Sequence, residues 1–285
     1  MTGDWLEGAV DVHVHTAPAM VDRAQDDSAL ARDALEAGMD AVVVKSHVVP
    51  TVGRVDAVNS ALGEQILYGG ITLNGSVGGL NPEAVETALE LGAKIVWLPT
   101  TWARNHAARA RAAGEDMFVG QRVPTEVEDL EVTDGEELTA DARRIVDLVA
   151  EYGAVLATGH VSPAEIDVVV DACAERGATC LINHPFFRVT DLSIDEQAAL
   201  AERGAVMEYC AYAVESTPGH TVDRVAKAIE RLGSDRCVLA TDYGQVGNPA
   251  VPGLAAFATD VAEAGAAERT VRRCLTETPA RLLGL

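Results

Sequence analysis

The sequence predicts an α/β fold closed into a (β/α)8 barrel, the TIM-barrel architecture, and three observations lead there. Short apolar strand-like runs alternate with amphipathic helical stretches along almost the whole chain, as parallel βαβ units require. The strand-like runs number eight. Polar residues gather at the C-terminal ends of those runs, the face on which such barrels carry their sites. Alternation by itself fits an open doubly wound sheet equally well; the count of units and the position of the polar residues select the closed barrel. A single domain over 1–285 is expected, because a barrel takes about 250 residues and leaves room for one insertion.

The eight runs are 9–15, 41–47, 65–73, 94–99, 155–160, 179–184, 206–210 and 237–242. Helical stretches lie between them at 28–37, 82–91, 140–152, 163–176, 194–203 and 222–232. Asn81 followed by Pro82 and Glu83 is a helix start, with a side-chain cap and proline in the first turn. Gly38, Gly92, Gly153, Gly177, Gly204 and Gly233 stand just past helix ends, where a left-handed residue closes the last turn. The connection after the fourth strand is anomalous. A lid-like insertion over about 102–138 far exceeds the usual 2–6 residues of a βα loop. Within it, 123–132 reads as extended chain and Thr133-Asp134-Gly135-Glu136 as a hairpin turn. A lid, a surface embellishment and a subunit contact all fit such a segment.

Composition narrows the partners. A formal charge of −22 repels phosphate backbones and anionic lipid, so neither nucleic acid nor membrane is an expected partner. A small-molecule substrate is expected, and a homo-oligomer is compatible with the sequence. Lys45, Lys94 and Lys227 are the only lysines. An acidic, lysine-poor surface suits a salt-rich cytoplasm, and drift in a GC-rich genome gives the same depletion of lysine. Residues 1–10 carry neither a basic nor an apolar leader segment, and no apolar run nears the roughly 18 residues of a membrane helix; a cytoplasmic location is the expectation. Cys173, Cys180, Cys210, Cys237 and Cys274 are odd in number and lack C-x-x-C spacing, so they read as small buried hydrophobes. With 48% hydrophobic but only 4% aromatic residues, the core must be aliphatic.

His13, His15, His47, His160 and His184, five of the seven histidines, fall at the ends of strand-like runs, and Asp242 does so on the eighth. In Val10-Asp11-Val12-His13-Val14-His15, strict alternation sends the valines to the outer helices and both histidines into the barrel mouth, about 6.6 Å apart along the strand. Imidazoles buried at that level lose hydration unless something binds them. A shared divalent cation answers that need, and Asp242 adds a carboxylate on the neighbouring strand. Lys45 shares a face with His47. It could be carboxylated, bind an anionic substrate, or pair with Asp11 or Asp242. Glu208 reads as an extra acid or a structural ion pair. His106 and His220 fall in loops after the fourth and seventh runs. Gly78 and Gly79 could cradle an anion or form a tight turn.

His-x-His on the first strand, His160 and His184 on the fifth and sixth and Asp242 on the eighth resemble the amidohydrolase superfamily of metal-dependent TIM-barrel hydrolases, in an uncharacterised branch. The ending Thr278-Pro279-Ala280-Arg281-Leu282-Leu283-Gly284-Leu285 resembles its C-terminal helix. The resemblance implies metal ligation by His13, His15, His160, His184 and Asp242, with His184 as ligand or transition-state stabiliser. It departs at strand four, where Trp97-Leu98-Pro99-Thr100-Thr101 offers neither the carboxylated lysine nor the glutamate that bridges two metals in many members. One or two ions are therefore compatible. The expected activity is hydrolysis of a small amide, lactam or lactone by metal-activated water. Zn2+ is favoured by the imidazole-rich set, with Mn2+, Fe2+ and Co2+ as other candidates. Asp242, His184 and Lys45 are the catalytic candidates; His47, Glu208 and His106 are lesser substrate or ligand candidates. The alternatives are a metal-dependent decarboxylase, a phosphoesterase with His47 as an added ligand, and a non-catalytic metal- or metabolite-binding barrel.

Overall fold

The structure is a computed structural model that describes residues 5–114, 129–217, 219 and 221–285. Eight parallel strands form the barrel: β1 Val10–His15, β2 Ala41–Lys45, β3 in two pieces (Leu67–Tyr68 and Gly70–Thr72), β4 Ile95–Trp97, β5 Val155–Ala157, β6 Thr179–Asn183, β7 Val206–Cys210 and β8 Cys237–Ala240. The first piece of β3 pairs with β2 and the second with β4, so Gly69 marks a break that the strand carries across two partners. A Cβ on Gly69 would lie 2.6 Å from the Val52 backbone nitrogen, which only glycine avoids. The seam between β8 and β1 closes through Asp242 N–H to His13 O (2.9 Å) and His15 N–H to Tyr243 O (2.7 Å). The ring of strands is therefore complete, and its seam passes through the two histidines and the aspartate singled out above.

Helices cover the outside, and their starts follow from local chemistry. Asp26 accepts from Ala29 N–H ahead of α1 (Asp27–Glu36), Asn81 from Ala84 N–H ahead of α3 (Pro82–Glu90), and Thr139 from Ala142 N–H ahead of α5 (Ala140–Tyr152). Ser162 and Ser193 form reciprocal capping boxes with Glu165 and Glu196 on α6 (Pro163–Arg176) and α7 (Ile194–Glu202). The remaining helices are α2 Val52–Leu62, α4 Arg104–Ala113, α8 Ala211–Ser216, α9 Val222–Leu232, α10 Ala250–Glu263, α11 Glu268–Leu275 and α12 Glu277–Leu283. Among the described residues no helix is long and apolar enough to cross a membrane.

Strand side chains divide cleanly. Val42, Val44, Val96, Leu156, Ile182, Met207 and Leu239 pack outward beneath the helices. Val10, Val12, Ala41, Val43, Ile95, Trp97, Val155, Ala157, Leu181, Val206, Val238 and Ala240 fill the interior together with Leu282 and Leu283 of α12. Lys94, just before β4, donates to Leu283 O at 2.9 Å, so α12 stops the N-terminal end of the cylinder.

The interior position of Val10 and Val12 corrects the strict alternation expected for β1. Asp11 pairs with Val42 but Val14 with Val44, so β1 spends one more residue than β2 over that interval. This bulge turns His13 and His15 inward in succession to Val10 and Val12 and sends only Val14 outward. Asp11 holds the bulge: it accepts from His13 N–H (3.1 Å), Thr241 N–H (3.2 Å) and Thr241 Oγ–H (2.7 Å).

The insertion after β4 begins with a helix that the sequence reading left as loop, α4, and ends in the expected hairpin, Thr133–Asp134 against Glu137–Leu138. Arg104 N–H donates to Leu130 O and Leu130 N–H to Trp102 O, and Val132 N–H reaches Glu165 at 2.9 Å, tying its return to α6. Residues 115–128, including most of the expected extended stretch, lie outside the described residues, as does His220.

Candidate metal centre

The Asp242 carboxylate is the focus of the barrel mouth. Its Oδ1 lies 3.1 Å from His13 Nε2 and 3.0 Å from His15 Nε2. The backbone at Asp242 (φ 53°) and at His184 (φ 29°) is in the left-handed region, which L-residues other than glycine rarely adopt. Such strain costs on the order of 1–3 kcal/mol per residue and gathers where geometry serves a site. Beyond Asp242, Gly244 (φ 127°) approaches so closely that a Cβ would sit 1.7 Å from His15 O, so this turn is held tight against β1.

The charges here are interdependent. Burial works against the His13 imidazolium, yet the Asp242 and Glu208 carboxylates outweigh it and lift the ring to about 9. Burial would raise Asp242, but His13 beside it holds the carboxyl well below the usual range. Burial pushes His15 down to about 3 and His184 down to about 4, and holds His47 and His160 well below the ordinary imidazole value. All four are neutral near pH 7 and therefore able to donate a lone pair to a cation.

Glu208, fully buried, orients His13 through Nδ1 at 2.7 Å, and its other oxygen accepts from Asn183 Nδ2 at 3.0 Å. Of the two readings offered for Glu208, the ion pair is the one observed. Lys45 Nζ lies 3.1 Å from His13 Nε2 and 5.3 Å from the Trp97 ring centroid. Among the described residues it forms no ion pair, so the expected pairing with Asp11 or Asp242 is replaced by a contact with His13. Asp11 is taken up by Thr241 instead. Burial lowers Lys45 from the ordinary lysine range, against the pull of Asp242 and Glu208.

His47 stacks on His15 with centroids 4.8 Å apart and meets Thr100 Oγ1 at 2.9 Å. On the opposite side His160 lies 5.0 Å from His184, ring to ring, and both contact Phe187. His106 corrects its loop placement: it sits on α4, wholly buried, stacked on His160 at 4.8 Å with the two Nδ1 atoms 2.6 Å apart. That contact occupies His160 Nδ1 and leaves Nε2 for the cavity. Gly78 and Gly79 form a tight turn in which both N–H groups are already bonded, to Gly75 O and Asn74 O.

Does this set suit a metal? Two imidazole nitrogens and a carboxylate oxygen converge at 3.0–3.1 Å, near the roughly 3.3 Å between donors around a tetrahedral ion with bonds of about 2.0–2.1 Å. His184 Nδ1 is buried without a hydrogen-bond partner, an expense that a ligand removes. Among the described residues, His13, Cys210 and Asp242 bring donor atoms within 4.8 Å of one another. The donor chemistry fits a divalent ion. Cys210 corrects the reading of every cysteine as a plain hydrophobe: its thiol meets Glu208 at 3.0 Å and lies 3.9 Å from His13 Nδ1. Its position two residues beyond Glu208 on an inward-facing strand was the available signal, together with Asn183 next to His184. The five expected ligands share one rim, with His13, His15 and Asp242 in contact and His160 and His184 across from them.

A cavity of about 310 Å³ opens above the cluster, lined among others by Arg23, Lys45, His47, Phe187, Tyr212 and Gln245. The sequence reading missed Arg23 and Gln245, which lie in loops with no periodicity to betray them, and Tyr212, at the start of the short helix α8.

A family model matches residues 8–208, from the first strand through Glu208 of the seventh. The chain belongs to that family, DUF6282, a family of unknown function. No curated protein matches the sequence. Among solved structures, an amidohydrolase from Pseudomonas aeruginosa is 13% identical, with a TM-score of 0.64 over 99% of this chain and 98% of the other. An amidohydrolase from Burkholderia multivorans, solved with bound Zn, is 14% identical with a TM-score of 0.58, covering 97% of this chain and 99% of the other. The 2,6-dihydroxybenzoate decarboxylase from Rhizobium is 11% identical with a TM-score of 0.53 over 98% and 99%. At these identities the likeness shows a shared fold: this chain has the barrel of those proteins.

Proposed function

We propose that the chain is a metal-dependent hydrolase acting on a small amide, lactam or lactone. The observation that carries this reading is the Asp242 carboxylate, one oxygen of which meets His13 and His15 together at the barrel seam. His13, His15 and Asp242 would hold the ion, His160 and His184 would complete the set from the far side, and Cys210 is a further donor beside His13. When bound, a divalent cation, zinc by donor type, lowers the pKa of water and polarises a carbonyl oxygen.

The chain's own groups supply the rest. Glu208 and Asn183 fix the His13 ring, and His106 fixes His160 with Nε2 inward. Asp242, ionised at neutral pH, accepts the proton of the attacking water and returns it to the leaving group. Lys45 gives a hydrogen bond to the developing oxyanion, and His184, neutral at that pH, gives a second one if it does not ligate the ion. Phe187 closes the wall behind both histidines and limits water.

Zinc-loaded and chelator-treated protein, incubated with amides, lactams and lactones and assayed for products and CO2, tests the reading. Hydrolysis that disappears on chelation is the expected result. CO2 release would instead indicate a decarboxylase, phosphate release from phosphoesters a phosphoesterase, and bound metal with no turnover a binding barrel.

A further inference from the structure

Arg23 stands at the cavity wall without an ion-pair partner among the described residues. It lies in the β1–α1 loop, which is pinned: Ala17 N–H bonds Gln25 O and Ala24 N–H bonds Gly244 O, each at 2.9 Å, and Arg23 bridges Gln245 in the adjoining β8 loop. Its guanidinium lines the cavity beside Tyr212 and Asp242, and its Nε is buried without a partner. Among the described residues it makes no side-chain hydrogen bond and no ion pair. Arg54 gives the contrast: its guanidinium reaches Asp27, Thr16 Oγ1 and the carbonyls of Ala17 and Pro18.

In a chain with 44 acidic and 22 basic residues, an arginine left without a carboxylate partner in a cleft is an unmet demand for an anion. Gln245 Oε1, also buried and unpartnered, has the opposite need, for a donor. Phe187, Val21 and Val246 give the cavity an apolar part of its wall. Asp22 and Asp242 line the same cavity and oppose a doubly charged anion more than a singly charged one. The volume, about 310 Å³, is at the small end of ligand pockets.

We propose that Arg23 binds a carboxylate carried by the substrate, so that the substrate is a small organic acid whose hydrolysable bond lies at the histidine cluster and whose free carboxylate lies at Arg23. This deepens the hydrolase reading and rests on it. A planar guanidinium pairs with a carboxylate through two parallel N–H···O bonds, which fixes the orientation of the body between them.

Benzoate and benzamide share a shape and differ in charge, which makes them suitable probes by titration calorimetry on zinc-loaded protein, with inorganic phosphate as a third ligand. Wild type is expected to bind benzoate at least about tenfold more tightly than benzamide. Arg23→Gln is expected to remove about tenfold or more of benzoate affinity, to leave benzamide unchanged and to keep its zinc, and Arg23→Lys is expected to restore part of the loss. Equal benzoate binding in wild type and Arg23→Gln, equal binding of benzoate and benzamide, no benzoate binding at millimolar concentration, or tighter binding of phosphate would each overturn the proposal. Zinc content measured on the same samples separates this from the metal reading: protein that binds benzoate through Arg23 but takes up no zinc contradicts the centre and leaves the anion site standing.

Discussion

The two ends of one barrel interior obey opposite rules. At the N-terminal end Val10, Ile95, Val155, Val206 and Val238 pack with Leu282 and Leu283 into a dry plug in which each side chain lowers the free energy of folding by leaving water. At the other end of the same strands His13, His15, Lys45 and Glu208 are equally hidden but polar, and each rests on a neighbour. Glu208 needs His13, His13 needs Asp242, and His160 needs His106. Add the left-handed backbone at His184 and Asp242, and the mouth is a region that costs stability, held in place by the plug beneath it. The contrast teaches where to look for function: in a barrel core, unmatched polarity is informative and apolar packing is not.

Substitutions sharpen that contrast. The largest effect is expected at the mouth: Asp242→Asn should lower turnover about 10²–10⁴-fold, as the loss of a general acid–base group does, and should lower metal content per folded chain as well. The plug should behave in reverse. Leu283→Ala should cost about 2–4 kcal/mol of unfolding free energy with metal content per folded chain unchanged; a stable Leu283→Ala protein with an empty centre would break the division. Glu208→Gln, which removes the charge that orients His13, should weaken metal binding about 10–100-fold in a competition titration.

How much of this was legible in the sequence follows from which signals are periodic. All eight strands could be read because short unbroken runs of Val, Ile, Leu and Ala encode strands buried on both faces, and the polar ends of β1 and β8 stood out against them. Lys45 and Asp242 could be located, but their partners could not, because contacts such as Lys45 with His13 depend on how a cylinder closes. The bulge in β1 left no trace in Val10-Asp11-Val12-His13, since Asp11 serves it through Thr241, 230 positions away. His106 misled for a related reason: in Arg-Asn-His-Ala-Ala-Arg a polar helix looks like loop, and only its stacking on His160 gives the ring a role. Arg23 lies in a loop, where sequence alone carries no direction.

A smaller effect concerns pH. In the metal-free protein Asp242 and Glu208 outweigh burial and keep His13 protonated up to about pH 9. Its raised value means that metal must expel a proton below that pH and none above it. Apparent metal affinity should therefore rise by up to about tenfold per pH unit toward 9 and then flatten. Affinity independent of pH between 6 and about 9 would count against His13 as a ligand.

The most direct measurement is elemental analysis of the purified protein beside a His13→Ala/His15→Ala variant of matched circular dichroism. Wild type should retain divalent metal through gel filtration, and the variant should lose nearly all of it. Equal metal content in two folded proteins would contradict a centre built on the barrel seam.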